Sequence, residues 1–93
     1  MHLDESMTRL EVVEAKRQAR VEARDAIANA LDAAGMNRYG LSKKMGVHRA
    51  NITHVLSETC PVNVTVETLG LIAAALGGEL IIDITVPLIP AQE

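Results

Sequence analysis

The chain has 93 residues, 48% of them hydrophobic and 23% charged, with a formal charge of −3 and Tyr39 as its sole aromatic residue. A chain of this size supports one domain with a small core and leaves little room for a deep substrate cleft between subdomains. One tyrosine is a poor platform for stacking on single-stranded nucleic acid, and an acidic total argues superficially against nucleic acid of any kind.

Residues 9–34 are predicted to form a long helix. Val12, Ala15, Ala19, Ala23, Ile27, Ala30 and Ala34 recur at steps of three and four, which draws one apolar stripe. Thr8 or Ser6 is placed to cap its start, and Gly35 to stop it. Alanine buries little area, so the stripe is weak before Val21. Residues 1–20 therefore read as a helical arm that adds little to the core.

Three shorter helices are expected next. Asn37 caps one that runs to about Met45, with Leu41 and Met45 on one face and Gly46 as its breaker. Gly40 inside it is expected to cost about 1 kcal/mol against alanine. A third helix is expected from about His48 to Ser57, followed by a loop over residues 58–64. Thr65 caps a fourth through Leu76, with Glu67 in the first turn where the helix dipole favours an acid. Gly77 and Gly78 end it.

The period then changes. Leu80, Ile82, Ile84 and Val86 alternate with Ile81, Asp83 and Thr85, which is strand alternation, closed by Pro87 and Pro90. A lone strand cannot satisfy its own backbone groups. With no second strand candidate in the chain, residues 79–86 are expected to pair with their copy across a two-fold axis, through Leu80, Ile82, Ile84 and Val86. The fold class is mainly α: a small helical bundle with a C-terminal strand paired across a dimer.

The charge is unevenly placed. Residues 1–36 hold seven acids and five bases; residues 58–93 hold five acids and no base. Between them, residues 37–57 hold Arg38, Lys43, Lys44 and Arg49 and no acid. This basic island coincides with RYGLSKKMGVHRANITHVLS, residues 38–57. Here Leu41, Met45, Val47, Ile52 and Val55 form an apolar set, Ser42 is a small residue where two helices would cross, and Gly46 sits at the turn. That is the spacing of a helix-turn-helix.

With these residues the chain resembles the lambda repressor–Cro (XRE-type) helix-turn-helix domains, over about residues 21–78. The run TVETLGLIAAALGG at residues 65–78 is similar to the trailing helix that closes such bundles. The strand ELIIDITV and the helical arm make the chain most similar to HigA-type antitoxins within that family. The resemblance implies three regions: an N-terminal arm at 1–20, a DNA-binding domain at 21–78, and a dimerisation strand and tail at 79–93. It also implies an autorepressor that binds an inverted-repeat operator in duplex DNA as a homodimer and neutralises a toxin, through the arm.

A helical wheel sorts the second helix of the motif. Ile52 and Val55 fall on the core side. Arg49, Ala50, Thr53, His54 and Ser57 fall opposite, on a face with donors, a methyl and no acid that suits a major groove. Arg49 is the expected bidentate reader of guanine, Ala50 or Thr53 the contact to a thymine methyl, and His54 a reader of base or phosphate. Arg38, Lys43, Lys44, His48 and Ser57 are the expected phosphate contacts, which fix register without reading sequence. His48 stands where relatives place a better cap, Ser or Thr, and the glutamines of phage repressors are missing, so no target sequence transfers.

Other chemistry finds little support. His48 and His54 lie about 240° apart on a helix, at six positions of 100° each, and with His2 and Cys60 they match no zinc spacing. Cys60 has no activating neighbours in the sequence and reads as a plain thiol in a reducing compartment. There is no glycine-rich phosphate loop and no paired-carboxylate site. No catalytic residue, metal or cofactor is expected. The longest apolar run, residues 69–76, is too short to span a membrane, so the chain is expected to be cytoplasmic. Two other readings stay open: a protein-binding module without a DNA role, and a Cro-like phage regulator of the same fold.

Overall fold

Thr8 starts the first helix with a reciprocal cap. Its Oγ1 accepts the Glu11 N–H at 3.1 Å, and Glu11 Oε1 accepts the Thr8 N–H at 2.8 Å. Two donors that helix geometry leaves orphaned are satisfied at once. From there α1 runs unbroken over Arg9–Ala34. The structure, a computed structural model, describes residues 6–57, 59 and 62–87. His2, Glu58, Cys60, Pro61, Pro90 and the chain ends, and with them part of the expected arm, loop and tail, lie outside the described residues.

Three further helices follow: α2 (Arg38–Met45), α3 (Arg49–Val55) and α4 (Val66–Ala75). The described part of the molecule is thus mainly helical. Asn37 and Thr65 cap α2 and α4, their side-chain oxygens accepting the N–H groups of Gly40 at 2.7 Å and Thr68 at 3.1 Å. α1, α2 and α4 end alike. A glycine turns back and the following residue donates to a carbonyl five positions upstream: Met36 to Leu31, Val47 to Ser42, Gly78 to Ala73, at 2.9–3.1 Å. Gly46 adopts φ 72°, a left-handed conformation that a side chain would strain. α3 is the exception. Its cap residue His48 makes no side-chain hydrogen bond, and its last turn closes on Leu56 without a glycine. It ends at Val55, short of the expected Ser57; the Leu56 N–H still donates to the Ile52 carbonyl at 3.1 Å, and Leu56, four residues after Ile52, packs in the core.

Six apolar residues make that core: Ile27 and Leu31 of α1, Leu41 of α2, Ile52 of α3, Leu56, and Ile72 of α4. Each buried side chain of this size contributes about 1.5–3 kcal/mol relative to exposure. Leu41 is wholly inaccessible and marks the centre. Met45, Val47 and Val55, expected in the core, pack half-buried at its edge. The core line of α1 differs from the expected alanine stripe. Ile27 and Leu31, four apart, face inward with Ala28 beside them, while Ala15, Ala19, Ala30 and Ala34 are exposed. The reason is size: two branched side chains remove more apolar surface from water than four methyl groups, so they set the rotation of the helix.

α2 packs on α3 and α4, and α1 on α4. Ser42 is buried, with its hydroxyl donating to the Tyr39 carbonyl at 2.7 Å, as a small polar residue at a helix contact must. Gly40 has a reason beyond propensity. A Cβ there would stand 3.2 Å from Asn37 Oδ1 and 3.2 Å from Met36 Cγ, so glycine leaves room for the cap that starts α2.

Before Arg20 the helix leaves the core behind. Residues 9–19 are exposed except Val12, which is half-buried, and the molecule reaches 54 Å in its longest dimension. At the other end, residues 79–87 form no helix and no strand, and no backbone hydrogen bond joins residues 79–87 to the other described residues. The expected strand is therefore not formed within the described chain. Its alternation has no second strand to meet there, and Ile81, Ile82, Ile84 and Val86 stand 63–83% exposed.

Candidate nucleic-acid interface

Residues 46–48 set α3 against α2, and the core residues Ile52 and Leu56 fix which side of α3 faces outward. Arg49, Ala50, Thr53 and His54 are all exposed, and none of their side chains makes a hydrogen bond to another described residue. His48 joins these four around one shallow concavity. A second one adjoins it, where Arg38 and Tyr39 of α2 and the cap residue Asn37 meet Arg49 and Thr53 of α3. Arg49 and Thr53 line both, so the two hollows form one surface spanning the start of α2 and the outer face of α3.

Lys43, Lys44 and Ser57 line neither hollow. Both lysines are exposed in the last turn of α2, where the dipole favours cations. Ser57 is half-buried just beyond α3, its N–H donating to the His54 carbonyl at 3.2 Å. Arg38, Lys43, Lys44 and Arg49 pair with no carboxylate among the described residues. Four cations that meet no carboxylate among the described residues raise the positive potential around α2 and α3.

Tyr39 is the neighbour that composition and spacing passed over. It is 54% exposed, it lines the surface beside Arg49, and the Lys43 ammonium stands 5.4 Å from its ring centroid. A cation over an exposed ring is held by about 0.5–1 kcal/mol. The signal was present in the sequence as a Tyr–Lys pair four apart on a helix. Asn51 is a second exposed polar side chain of α3 that the wheel left unassigned.

The surface is open and shallow, with charged and hydroxyl groups and a methyl but no enclosed cavity. Among the described residues no three histidine, cysteine or carboxylate side chains gather as a metal site, and no helix is long and apolar enough to cross a membrane. No family model, no curated protein and no solved structure matches this chain.

Proposed function

We propose that the chain is a sequence-specific duplex-DNA-binding regulator that acts as a homodimer on an inverted repeat and represses its own operon. It is not an enzyme. The observation that carries this reading is the outer face of α3: exposed, free of acid, and flanked by cations of α2 that meet no carboxylate among the described residues. A major groove admits one helix and presents acceptors at guanine and a methyl at thymine. Arg49 offers a fork of donors to the first, and Ala50 and the Thr53 methyl suit the second. Arg38, Lys43, Lys44, His48 and Ser57 hold phosphates and set the register. Two copies joined through Leu80, Ile82, Ile84 and Val86 present two such helices to half-sites about 34–36 Å apart.

The test begins with selection of a preferred duplex from a random library, followed by fluorescence anisotropy on that duplex and on a scrambled one. Arg49→Ala is expected to weaken the selected duplex by about 1–3 kcal/mol and to relax one base position. Lys43→Ala is expected to weaken both duplexes alike and to lower the salt slope by about one. No enrichment in the selection, or an equal loss on both duplexes for Arg49→Ala, defeats the reading.

One observation favours a second role alongside the first, that of an antitoxin. Leu10 and Val13 of α1, and Met7 just before its cap, are 53–68% exposed on a stretch that lies beyond the core. An apolar ridge on a projecting helix suits the groove of a partner protein. Leu10→Glu with Val13→Glu is expected to abolish capture of a co-encoded toxin and to leave operator affinity unchanged.

A further inference from the structure

A trough runs along α1 beside the core. At one end Ala26, Ala30 and Leu69 floor a hollow on which this chain's own Leu80 and Ile81 lie. At the other end Ala19, Ala23, Val64 and Leu69 floor a second hollow, rimmed by Lys16 and Arg20. Leu69 lines both, so the two hollows adjoin. The basic end, from Lys16 to Ala23, is about 10 Å long at about 1.5 Å per helical residue. Three extended residues such as 82–84 span about 10 Å.

The basic end is uncovered. Neither Lys16 nor Arg20 meets a carboxylate among the described residues. The chain carries a segment of the complementary kind in residues 79–87, which bear Glu79 and Asp83, no base, and four isoleucine or valine side chains at 63–83% exposure. Pairing that segment with its copy does not suffice alone, because an isolated two-stranded ribbon is marginal in water and needs an apolar surface beneath it.

We infer that the 79–87 segment of a second copy crosses the basic end of this trough at residues 82–84, with Ile82 and Ile84 on Ala19, Ala23 and Leu69 and Asp83, on the opposite face, reached by Lys16 and Arg20 from the rim. The inference rests on the homodimer proposed above and adds the seat of the paired segments. It makes the middle of α1 part of the dimer interface, leaving Met7, Leu10 and Val13 for other contacts. Charge decides the occupant: a basic partner segment would meet Lys16 and Arg20 with repulsion.

The experiment is a charge swap read by sedimentation equilibrium of the full chain at low salt, with helix content checked by circular dichroism. Arg20→Glu and Asp83→Arg are each expected to raise the dimer dissociation constant about ten-fold, because the pair occurs twice in a two-fold dimer. Combined, they are expected to restore it to within about three-fold of wild type, the coupling that a double-mutant cycle isolates. Ile82→Pro removes a ladder donor and is expected to abolish the dimer independently of the swap. A wild-type chain that stays monomeric overturns both the homodimer and its seat. A dimer lost on Ile82→Pro but indifferent to the swap overturns the trough alone.

Discussion

Leu41→Ala tests whether one residue holds the four helices together. Leu41 is fully inaccessible and belongs to the cluster that joins all four helices. The substitution removes three carbon atoms, a transfer loss of about 2–2.5 kcal/mol at about 0.8 kcal/mol per methylene. A cavity term adds to it, so about 3 kcal/mol is expected within the range for buried leucines. For 93 residues, a total stability of about 5 kcal/mol stands at the lower end of the usual scale, so more than half is lost. At about 4–8 °C per kcal/mol for a domain of this size, the midpoint falls by about 12–24 °C. Thermal unfolding followed by circular dichroism at fixed chain concentration reads it, since a dimer's midpoint depends on concentration. Leu71→Ala is the control. That leucine is 62% exposed, and its loss is expected to stay within about 0.5 kcal/mol. The reasoning fails if Leu41→Ala melts within about 4 °C of wild type, or if Leu71→Ala falls as far.

Two glycines are expected to respond oppositely to alanine. Gly46→Ala destabilises by about 1–2 kcal/mol, since φ is 72° there and nothing crowds the added carbon. Gly70→Ala, inside α4 with open space around it, stabilises by about 0.5–1 kcal/mol; urea titration reads both signs.

Helix ends were legible because their chemistry is local. Thr8, Asn37 and Thr65 act on donors three residues away, and Gly35, Gly46 and Gly77 turn where a left-handed residue is needed. The rotation of α1 was less legible. Apolar spacing counts alanine as equal to leucine, whereas buried area does not, and Leu31 escaped the stripe for that reason. Leu56 escaped because the wheel gave the core side to Ile52 and Val55, although Leu56 stands four residues after Ile52 and bonds to its carbonyl. Gly40 looked like a propensity loss because its use lies in the space beside Asn37 Oδ1, which spacing along the chain does not describe. The site divides in the same way. The outward face of α3 followed from a wheel, while the approach of Tyr39 and Arg38 to Arg49 depends on how two helices pack. The alternation in residues 79–87 was plain, but the partner for its backbone groups is not among the described residues.

The bare construction of α3 has a consequence for how such a surface can change. Seven residues without a side-chain cap are too few to be helical alone, so this helix takes its shape from Ile52, Leu56 and the elements around it. The outward side chains of Arg49, Ala50, Thr53 and His54 contribute no internal hydrogen bond to that shape. Under the proposed reading, shape and recognition therefore sit in separate positions of the same short helix. Replacing all four outward residues is expected to leave the scaffold standing, so the preferred target can change without touching the residues that fold the helix.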